Sequence, residues 1–315
     1  MTENILKKVG VKIGHFTDAK ARTGTTVFLM DRGGDIGIDI RGSGTGTFNT
    51  PAFDTKSAIR LAHGIVLTGG SLFGLESVFG VMQFLEENKV GFHIDSQIVP
   101  SVTGAVIYDL GVGNPAVRPS RADGYYAAKN ASYKNLSQGA IGAGTGATVG
   151  KWNKNKSTPG GFGMDFVTLK NNIIVTAFVV TNAIGNIINP KTNSYYYDAG
   201  SFDESDLGFD TDKKRRTSLP NATTLAVIAT NVDLNRPQLM KVAELAHDGM
   251  ARSIYPVHTS LDGDTIFAIS SLNGERMTLP RIPSIQLVDT IGILAGKTLA
   301  SAIKHSIASH GTIEP

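Results

Sequence analysis

The chain has 315 residues, of which 41% are hydrophobic and 7% aromatic, so it can bury a large core as one α/β domain or two smaller ones. It contains no cysteine, which excludes disulfide bonds, thiolate catalysis and cysteine-ligated zinc. The formal net charge is +3 and the basic residues are scattered, so no nucleic-acid partner is predicted. No apolar run is long enough to cross a membrane, so no membrane partner is predicted either.

Periodicity predicts strands and helices that alternate irregularly along the first half of the chain. Apolar and polar residues alternate in two early segments, which a turn at 31–34 is expected to join. Two later segments carry apolar residues at helical spacing. The predicted strands are 26–30, 36–40 and 64–68, the predicted helices are 72–88 and 122–134, and 102–110 is a further apolar stretch.

Glycine-rich segments interrupt these elements at 41–47 and 142–151. The second segment ends in Lys151 but is not a phosphate-binding loop, because position 145 is Thr and Trp152 follows the lysine. The tripeptide 69–71, Gly-Gly-Ser, lies between a strand and a helix. It fits either close packing or backbone N–H groups aimed at a substrate oxygen, and we favour packing.

The second half predicts a hairpin followed by a mixture of strands and helices. The predicted strands are 167–169, 173–181, 225–229 and 265–270, and the predicted helices are 237–254 and 285–307. Residues 191–221 are polar and charged without an apolar period, which predicts a mobile connector. Because strands and helices do not alternate strictly, we expect helices packed on layered sheets.

A possible nucleophile stands where the connector ends. Thr223 and Thr224 lie at the junction between this segment and a buried strand. If the chain cut itself before a threonine there, the new N-terminal residue would carry a nucleophilic hydroxyl and its own general base, the freed α-amine. No other position offers so complete a pair of groups.

The segment from His258 to Asp264 contains one histidine and two carboxylates, Asp262 and Asp264, and three interpretations stay open. It is a metal site, a turn before a strand, or a pair of carboxylates that orient an amine and a hydroxyl. The ligand set is too thin for a metal prediction. Tyr108 and Asn182 each close an apolar run, where a buried hydroxyl or amide needs a partner.

Several of these motifs, taken in order, resemble the DmpA-type aminopeptidases, a family that includes β-peptidyl aminopeptidases and nylon-oligomer hydrolases. The resemblance spans nearly the whole chain. The segments that carry it are 41–47, 65–75, 106–110, 142–151, 223–231 and 256–268.

The resemblance implies a single hydrolase domain over 1–315, folded as a four-layer α-β-β-α sandwich like the N-terminal-nucleophile hydrolases. It further implies a precursor that cuts itself into chains 1–222 and 223–315. Thr223 would be the nucleophile, which places the chain in the threonine branch, near the nylon hydrolases. The expected protein is a cytoplasmic homo-oligomer, commonly a tetramer, that needs no cofactor or metal.

The resemblance also implies a site for hydrolysis of amide bonds in short peptides or ω-amino-acid oligomers. Asp262 and Asp264 match the acidic pair near the nucleophile. The residues that match positions orienting the nucleophile or forming the oxyanion site are Lys151, Tyr108 and Asn182.

One departure concerns the cleavage site. The threonine branch usually has Asn directly before the nucleophile, whereas this chain has Ala222, with Asn221 one step further back. If the Asn side chain helps to set the cleavage geometry, Ala222 would slow or stop maturation. Two alternatives therefore stay open: an acyltransferase of the ornithine acetyltransferase kind, and a non-catalytic homologue that has lost maturation.

Overall fold

The computed structural model describes residues 2–152, 157–198, 200, 222–279 and 284–308. The helices are α1 (Thr2–Val9), α2 (Glu76–Glu87), α3 (Arg121–Lys129), α4 (Arg236–Ala251) and α5 (Ser284–Ala308). The strands are β1 (Lys12–Asp18), β2 (Thr23–Ile40), β3 (Thr47–Phe48), β4 (Leu61–Thr68), β5 (Phe92–Ile94), β6 (Gln97–Val99), β7 (Val102–Val106), β8 (Thr148–Val149), β9 (Thr158–Pro159), β10 (Gly161–Thr168), β11 (Ile174–Asn182), β12 (Asn186–Ile188), β13 (Tyr195–Tyr197), β14 (Thr223–Thr230), β15 (Ile254–Tyr255) and β16 (Thr265–Ser271).

Strand β2 is continuous where the sequence predicts two strands joined by a turn at 31–34. Its register against β4 shifts between Leu29 and Gly34, so the chain bulges there without reversing direction. Gly33 has φ 77°, a conformation that glycine adopts without strain. The part before the bulge pairs with β1 and the part after it pairs with β16. The predicted turn is therefore wrong.

The main sheet runs in the order β10-β11-β14-β16-β2-β4-β7-β3, and β1 pairs with β2 beside this path. Because β2 is shared, the sheet folds over at its bulge into two layers. A buried core lies between the layers and contains Phe28 from β2 and Phe178 from β11, whose ring centroids are 5.2 Å apart.

Helices cover the outer faces of both layers. Helices α4 and α5 pack together on the layer of β10, β11, β14 and β16. On the other side, α2 and α3 pack together over β2, β4 and β7. The arrangement is the four-layer α-β-β-α sandwich that was predicted.

Strand β14 is central to its layer, between antiparallel β11 and parallel β16. All of its residues are buried. Leu225 and Val227 face the core between the layers, whereas Ala226 and Ile228 face the outer helices. Apolar side chains on both faces therefore make the strand read as a continuous apolar run.

Local sequence signals set the boundaries of several elements. Ser120 and Asp123 form a capping box at the start of α3, and Asn235 and Gln238 do the same for α4. Asn172 has φ 60° in the turn between β10 and β11, which fits the predicted hairpin. Helix α2 starts later than predicted, because Ser71–Leu75 forms a 3₁₀ turn before it.

The predicted connector at 191–221 lies mostly outside the described residues. Its first part differs from the prediction, since β13 (Tyr195–Tyr197) pairs with β12. Within the described parts of the chain, no helix combines the length and apolar content needed to span a membrane.

Candidate active site

Thr223 is the first residue of β14 and only 4% of its surface is exposed. Its Oγ1 donates a hydrogen bond of 2.5 Å to the carbonyl oxygen of Ala222. The backbone N–H of Gly263 donates to the same oxygen at 3.0 Å. The carbonyl of the 222–223 peptide bond is therefore polarised by two donors, one of which is the hydroxyl that follows it.

Ala222 is held in place by the loop that contains Asp262. The two residues form an isolated parallel bridge, and Ala222 N–H donates to Leu261 O at 3.4 Å. Ala222 is itself 1% exposed. Both sides of the predicted cleavage site are thus fixed by backbone hydrogen bonds.

Asn182 ends β11 directly opposite Thr223 and is fully buried. Its Oδ1 accepts from Lys151 Nζ at 2.6 Å and from Thr148 N–H at 3.0 Å. Its Nδ2 donates to the backbone oxygen of Tyr108 at 3.3 Å. The side-chain amide thus connects the glycine-rich segment 142–151 and the end of the 102–110 segment to β11, the strand beside the nucleophile.

Part of the Lys151 side chain is still exposed, but its amine is turned inward onto Asn182. Burial lowers the pKa of this amine to about 7, against the charges of Asp262 and Asp109, which favour its protonated form. Near neutral pH the amine therefore exists in both charged and neutral forms, so it can accept a proton.

Asp109 is buried beneath the Gly-Gly-Ser turn. Its carboxylate accepts from Gly70 N–H and from Thr23 Oγ1, both at 2.7 Å. Burial raises the pKa of this carboxyl group, while those hydrogen bonds oppose the rise. Gly69 N–H donates to Gly24 O and Ser71 N–H to Ile107 O, so the turn offers no N–H of residues 69–71 to a substrate. The packing interpretation of this motif is confirmed.

The loop of residues 258–264 (the acidic loop) turns both of its carboxylates inward, with Asp262 1% exposed and Asp264 fully buried. Asp262 Oδ2 accepts from the N–H of Thr259 at 2.8 Å and from its Oγ1 at 2.7 Å. Asp264 Oδ1 accepts from Thr224 N–H at 2.6 Å. Burial and the neighbouring charge of Asp264 raise the pKa of Asp262 to about 6.

The metal interpretation of this loop gains no support. Among the residues that the structure describes, no group of three or more histidine and acidic side chains could hold a metal ion. Both carboxylates already accept hydrogen bonds from the protein. Their hydrogen-bond donors are Thr259, Thr224 and His258, and the third interpretation, in which the carboxylates orient an amine and a hydroxyl, stays a prediction.

A cavity of about 160 Å³ opens beside Thr223. The glycine-rich segment 41–47 forms one wall, where Gly44 N–H donates to Asp262 O at 2.9 Å. A Cβ on Gly42 would lie 1.9 Å from the same oxygen, which explains the glycine at that position. The described residues that line the cavity are Gly44, Thr45, Gly46, Ser71, Leu72, Val106, Tyr108, Ala222 and Thr223.

All the residues predicted for the site lie in this region. Tyr108 lines the cavity with 38% of its surface exposed, and its backbone meets Asn182. Sequence reasoning missed Gly263 and Asp109 and considered His258 only as a metal ligand. The motif segments 106–110 and 256–268 contain these residues, but their hydrogen-bond partners depend on tertiary contacts.

Solved structures with the same architecture confirm the fold class. The L-aminopeptidase D-Ala-esterase/amidase of Ochrobactrum anthropi, described as a variant of the Ntn hydrolase fold, has a TM-score of 0.69 at 16% identity, covering 94% of this chain and 83% of that one. A Burkholderia sp. beta-aminopeptidase has a TM-score of 0.65 at 19% identity, covering 94% and 84%. The chain therefore shares the fold of these structures, a four-layer α-β-β-α sandwich.

The sequence matches the profile of Peptidase family S58 over residues 4–314, and the chain belongs to that family. An uncharacterised aminopeptidase of Mycobacterium tuberculosis is 34% identical, covering 93% of this chain and 90% of its relative. A 6-aminohexanoate-oligomer endohydrolase of Kocuria sp. is 32% identical, covering 87% and 76%. The predicted resemblance is confirmed, and the protein is a peptidase-type hydrolase of amide bonds.

Proposed function

We propose that the protein matures by cutting its own chain between Ala222 and Thr223, and that Thr223 is then the nucleophile for amide hydrolysis. The observation that carries this proposal is the 2.5 Å contact between Thr223 Oγ1 and the carbonyl oxygen of Ala222. A hydroxyl in that position is close to the carbonyl group that it must attack.

Maturation begins when Thr223 Oγ1 attacks the Ala222 carbonyl carbon and gives up its proton. The negative charge develops on Ala222 O, where Gly263 N–H already donates at 3.0 Å. The C–N bond then breaks, the nitrogen of Thr223 takes a proton, and an ester remains. Water hydrolyses the ester, leaving a carboxylate on Ala222 and a free α-amine on Thr223.

The precursor needs a base other than the α-amine, because that nitrogen is still part of a peptide bond. Lys151 suits this role, since burial brings the pKa of its amine to about 7. Asn182 holds the amine and faces Thr223 across the β-ladder. After the cut, the freed amine has an ordinary pKa of about 7.7–8.0 and takes over as base.

Substrate hydrolysis repeats the same chemistry between molecules. Thr223 Oγ1 forms an ester with the acyl part of the substrate, the amine leaves with a proton, and water then releases the acid. The Tyr108 hydroxyl and the Asn182 amide are proposed as donors to the oxyanion, each contributing on the order of a few kcal/mol to transition-state stabilisation.

The substrates proposed are short peptides or ω-amino-acid oligomers. Of the described residues that line the cavity, none carries a charged side chain. An uncharged chain beside the scissile bond, such as a run of methylene groups or an apolar side chain, therefore suits it. The relative that acts on 6-aminohexanoate oligomers supports this choice.

Intact-mass spectrometry of purified protein after prolonged incubation tests the proposal. We expect masses for residues 1–222 and 223–315, with the smaller fragment starting at Thr223, and one uncut mass for Thr223→Ala. The cut protein should hydrolyse 6-aminohexanoate oligomers or aminoacyl anilides. A single full-length mass in a preparation that hydrolyses amides would refute this mechanism.

Ala222→Asn tests the alternative in which maturation has been lost. Because Thr223 Oγ1 already contacts the carbonyl oxygen of Ala222, we expect the wild-type chain to cut itself without that substitution. Cleavage that occurs only in Ala222→Asn would favour the non-catalytic alternative.

Assembly as a homotetramer in the cytoplasm is also proposed, and light scattering with size exclusion measures the oligomeric state.

A further inference from the structure

Neighbouring residues at the start of the acidic loop hold its two carboxylates separately. Thr259 donates its N–H and hydroxyl to Asp262, at 2.8 and 2.7 Å. His258 bonds in the same way to Asp264 Oδ2, with Nδ1 at 2.7 Å and its backbone N–H at 3.2 Å. Because Oδ2 also accepts the backbone N–H, we assign Nδ1 as the donor of the ring contact.

Asp264 connects this contact to the nucleophile's strand. Its other oxygen, Oδ1, accepts the N–H of Thr224 at 2.6 Å. Thr224 follows Thr223 in the chain, and its carbonyl and side chain are buried in β14. A line of hydrogen bonds therefore runs from the His258 ring through Asp264 to the backbone beside the nucleophile.

The surroundings of His258 leave its ring in one position. The ring meets that of His247 from α4 edge to face, with centroids 4.8 Å apart. Burial, with the nearby His258, lowers the pKa of His247 to about 3, so His247 is neutral at ordinary pH. Among the described residues, the other charged groups near the pair are Asp39 near the end of β2, Arg41 just after that strand, and Asp262 from the loop.

His258 also has φ 55°, in the left-handed region where non-glycine residues are uncommon and Asn, Asp and His are the most frequent of them. Its Nε2 is buried without a hydrogen-bond partner among the described residues. The ring is thus held by Nδ1 and by packing, which suits a fixed donor better than a group that exchanges protons with a substrate.

We propose that His258 is a positioning residue that fixes the Asp264 carboxylate and, through it, the Thr224 N–H and the Thr223 hydroxyl. Its effect on turnover rests on the proposed function. Without the Nδ1 donor, Asp264 Oδ2 is left with the longer bond from the His258 backbone N–H, at 3.2 Å, so the carboxylate that accepts the Thr224 N–H is held less firmly.

Two substitutions separate the donor from the rest of the ring. His258→Asn places an amide N–H near the position of Nδ1 and tolerates a positive φ. His258→Gly also fits the backbone but removes the donor. Asp95→Gly is the matched control, because Asp95 has φ 51° in the exposed β5–β6 turn. If His258→Gly does not fold, His258→Ala, which also lacks a side-chain donor, takes its place.

Hydrogen exchange at the Thr224 amide measures the arrangement directly, without any turnover. We expect exchange to accelerate roughly 10-fold or more in His258→Gly, with the central amides of β14 unchanged. In the His258→Asn and Asp95→Gly variants, the exchange rate of the Thr224 amide should match that of the wild type. For amide hydrolysis, kcat should fall roughly 10- to 100-fold in His258→Gly with KM within about twofold, and His258→Asn should restore most of it.

An Asp264→Asn background provides the remaining check. If His258 acts through Asp264, adding His258→Gly there should change kcat less than about twofold. Unchanged Thr224 exchange in His258→Gly, or a His258→Asn variant as impaired as His258→Gly, would overturn the inference. An inactive wild-type enzyme would refute the proposed function instead, and the exchange experiment would still decide this one.

Discussion

Lys151 and Asp262 are site residues whose pKa values are shifted towards neutrality by burial. Burial brings the pKa of the lysine down to about 7 and that of the aspartate up to about 6. Both groups can therefore change charge within the physiological range. Asn182 connects the lysine to the strand beside the nucleophile.

Self-cleavage should accelerate as the pH rises through about 7, because the Lys151 amine accepts a proton only in its neutral form. Below that pH the rate should fall by about tenfold per unit, since the neutral fraction falls by that factor. Fragment formation followed by mass spectrometry from acidic to mildly alkaline pH gives the profile. Lys151→Gln keeps a donor for Asn182 but lacks the base, so it should cut much more slowly. A flat profile would exclude Lys151 as the base.

At the scale of elements, the arrangement at the start of β14 depends on how closely the acidic loop approaches it. A Cβ on Gly263 would lie 2.7 Å from Thr223 Oγ1 and 2.9 Å from Gly44 O. Glycine therefore allows the loop to bring its N–H to the Ala222 carbonyl while leaving room for the hydroxyl.

Gly263→Ala should slow self-cleavage by roughly 100-fold, because the added methyl group displaces the attacking oxygen and misplacement by about 1 Å has effects of this size. Fragment formation over time provides the measurement. Gly111→Ala is a matched control, since a Cβ there meets no atom within 4 Å. Equal cleavage rates in the two variants would contradict the role of this contact.

The sequence predicts much at this scale, because apolar periodicity identifies α4, α5, β11 and β14 with small errors at their ends. It fails at β2, because two adjacent glycines are typical of a turn. The strand is recognised as continuous only from its pairing with β4 and β16. It also fails to find β1, whose seven residues show no clear alternation.

Prediction of the site has a similar limit. Family resemblance identifies the side chains that meet around Thr223. The roles of Gly263 and Asp109 depend on which donors and acceptors tertiary packing places beside them, and no local pattern contains that information.

At the scale of the whole molecule, one core joins the two sheet layers. Phe178 on β11 is fully buried there and packs against Phe28 of β2. Phe178→Ala should lower the free energy of unfolding by about 3–5 kcal/mol, through lost burial and the cavity left behind.

Denaturant unfolding in a Thr223→Ala background measures this on an uncut chain. Ile285→Ala is the control, because Ile285 is 79% exposed and its loss should change stability by less than about 0.5 kcal/mol. A loss below about 1 kcal/mol for Phe178→Ala would mean that the layers do not depend on this contact.

The position of β14 also decides what a cut before Thr223 does to the molecule. On one side β14 pairs with β11, from the first fragment, and on the other with β16, from its own fragment, which in turn pairs with β2 of the first. The two products would be interleaved strand by strand, so neither can leave without dismantling the layer. Only the uncut precursor would then fold as a single chain. After denaturation, recovery would require two polypeptides to meet, and its yield would depend on their concentration.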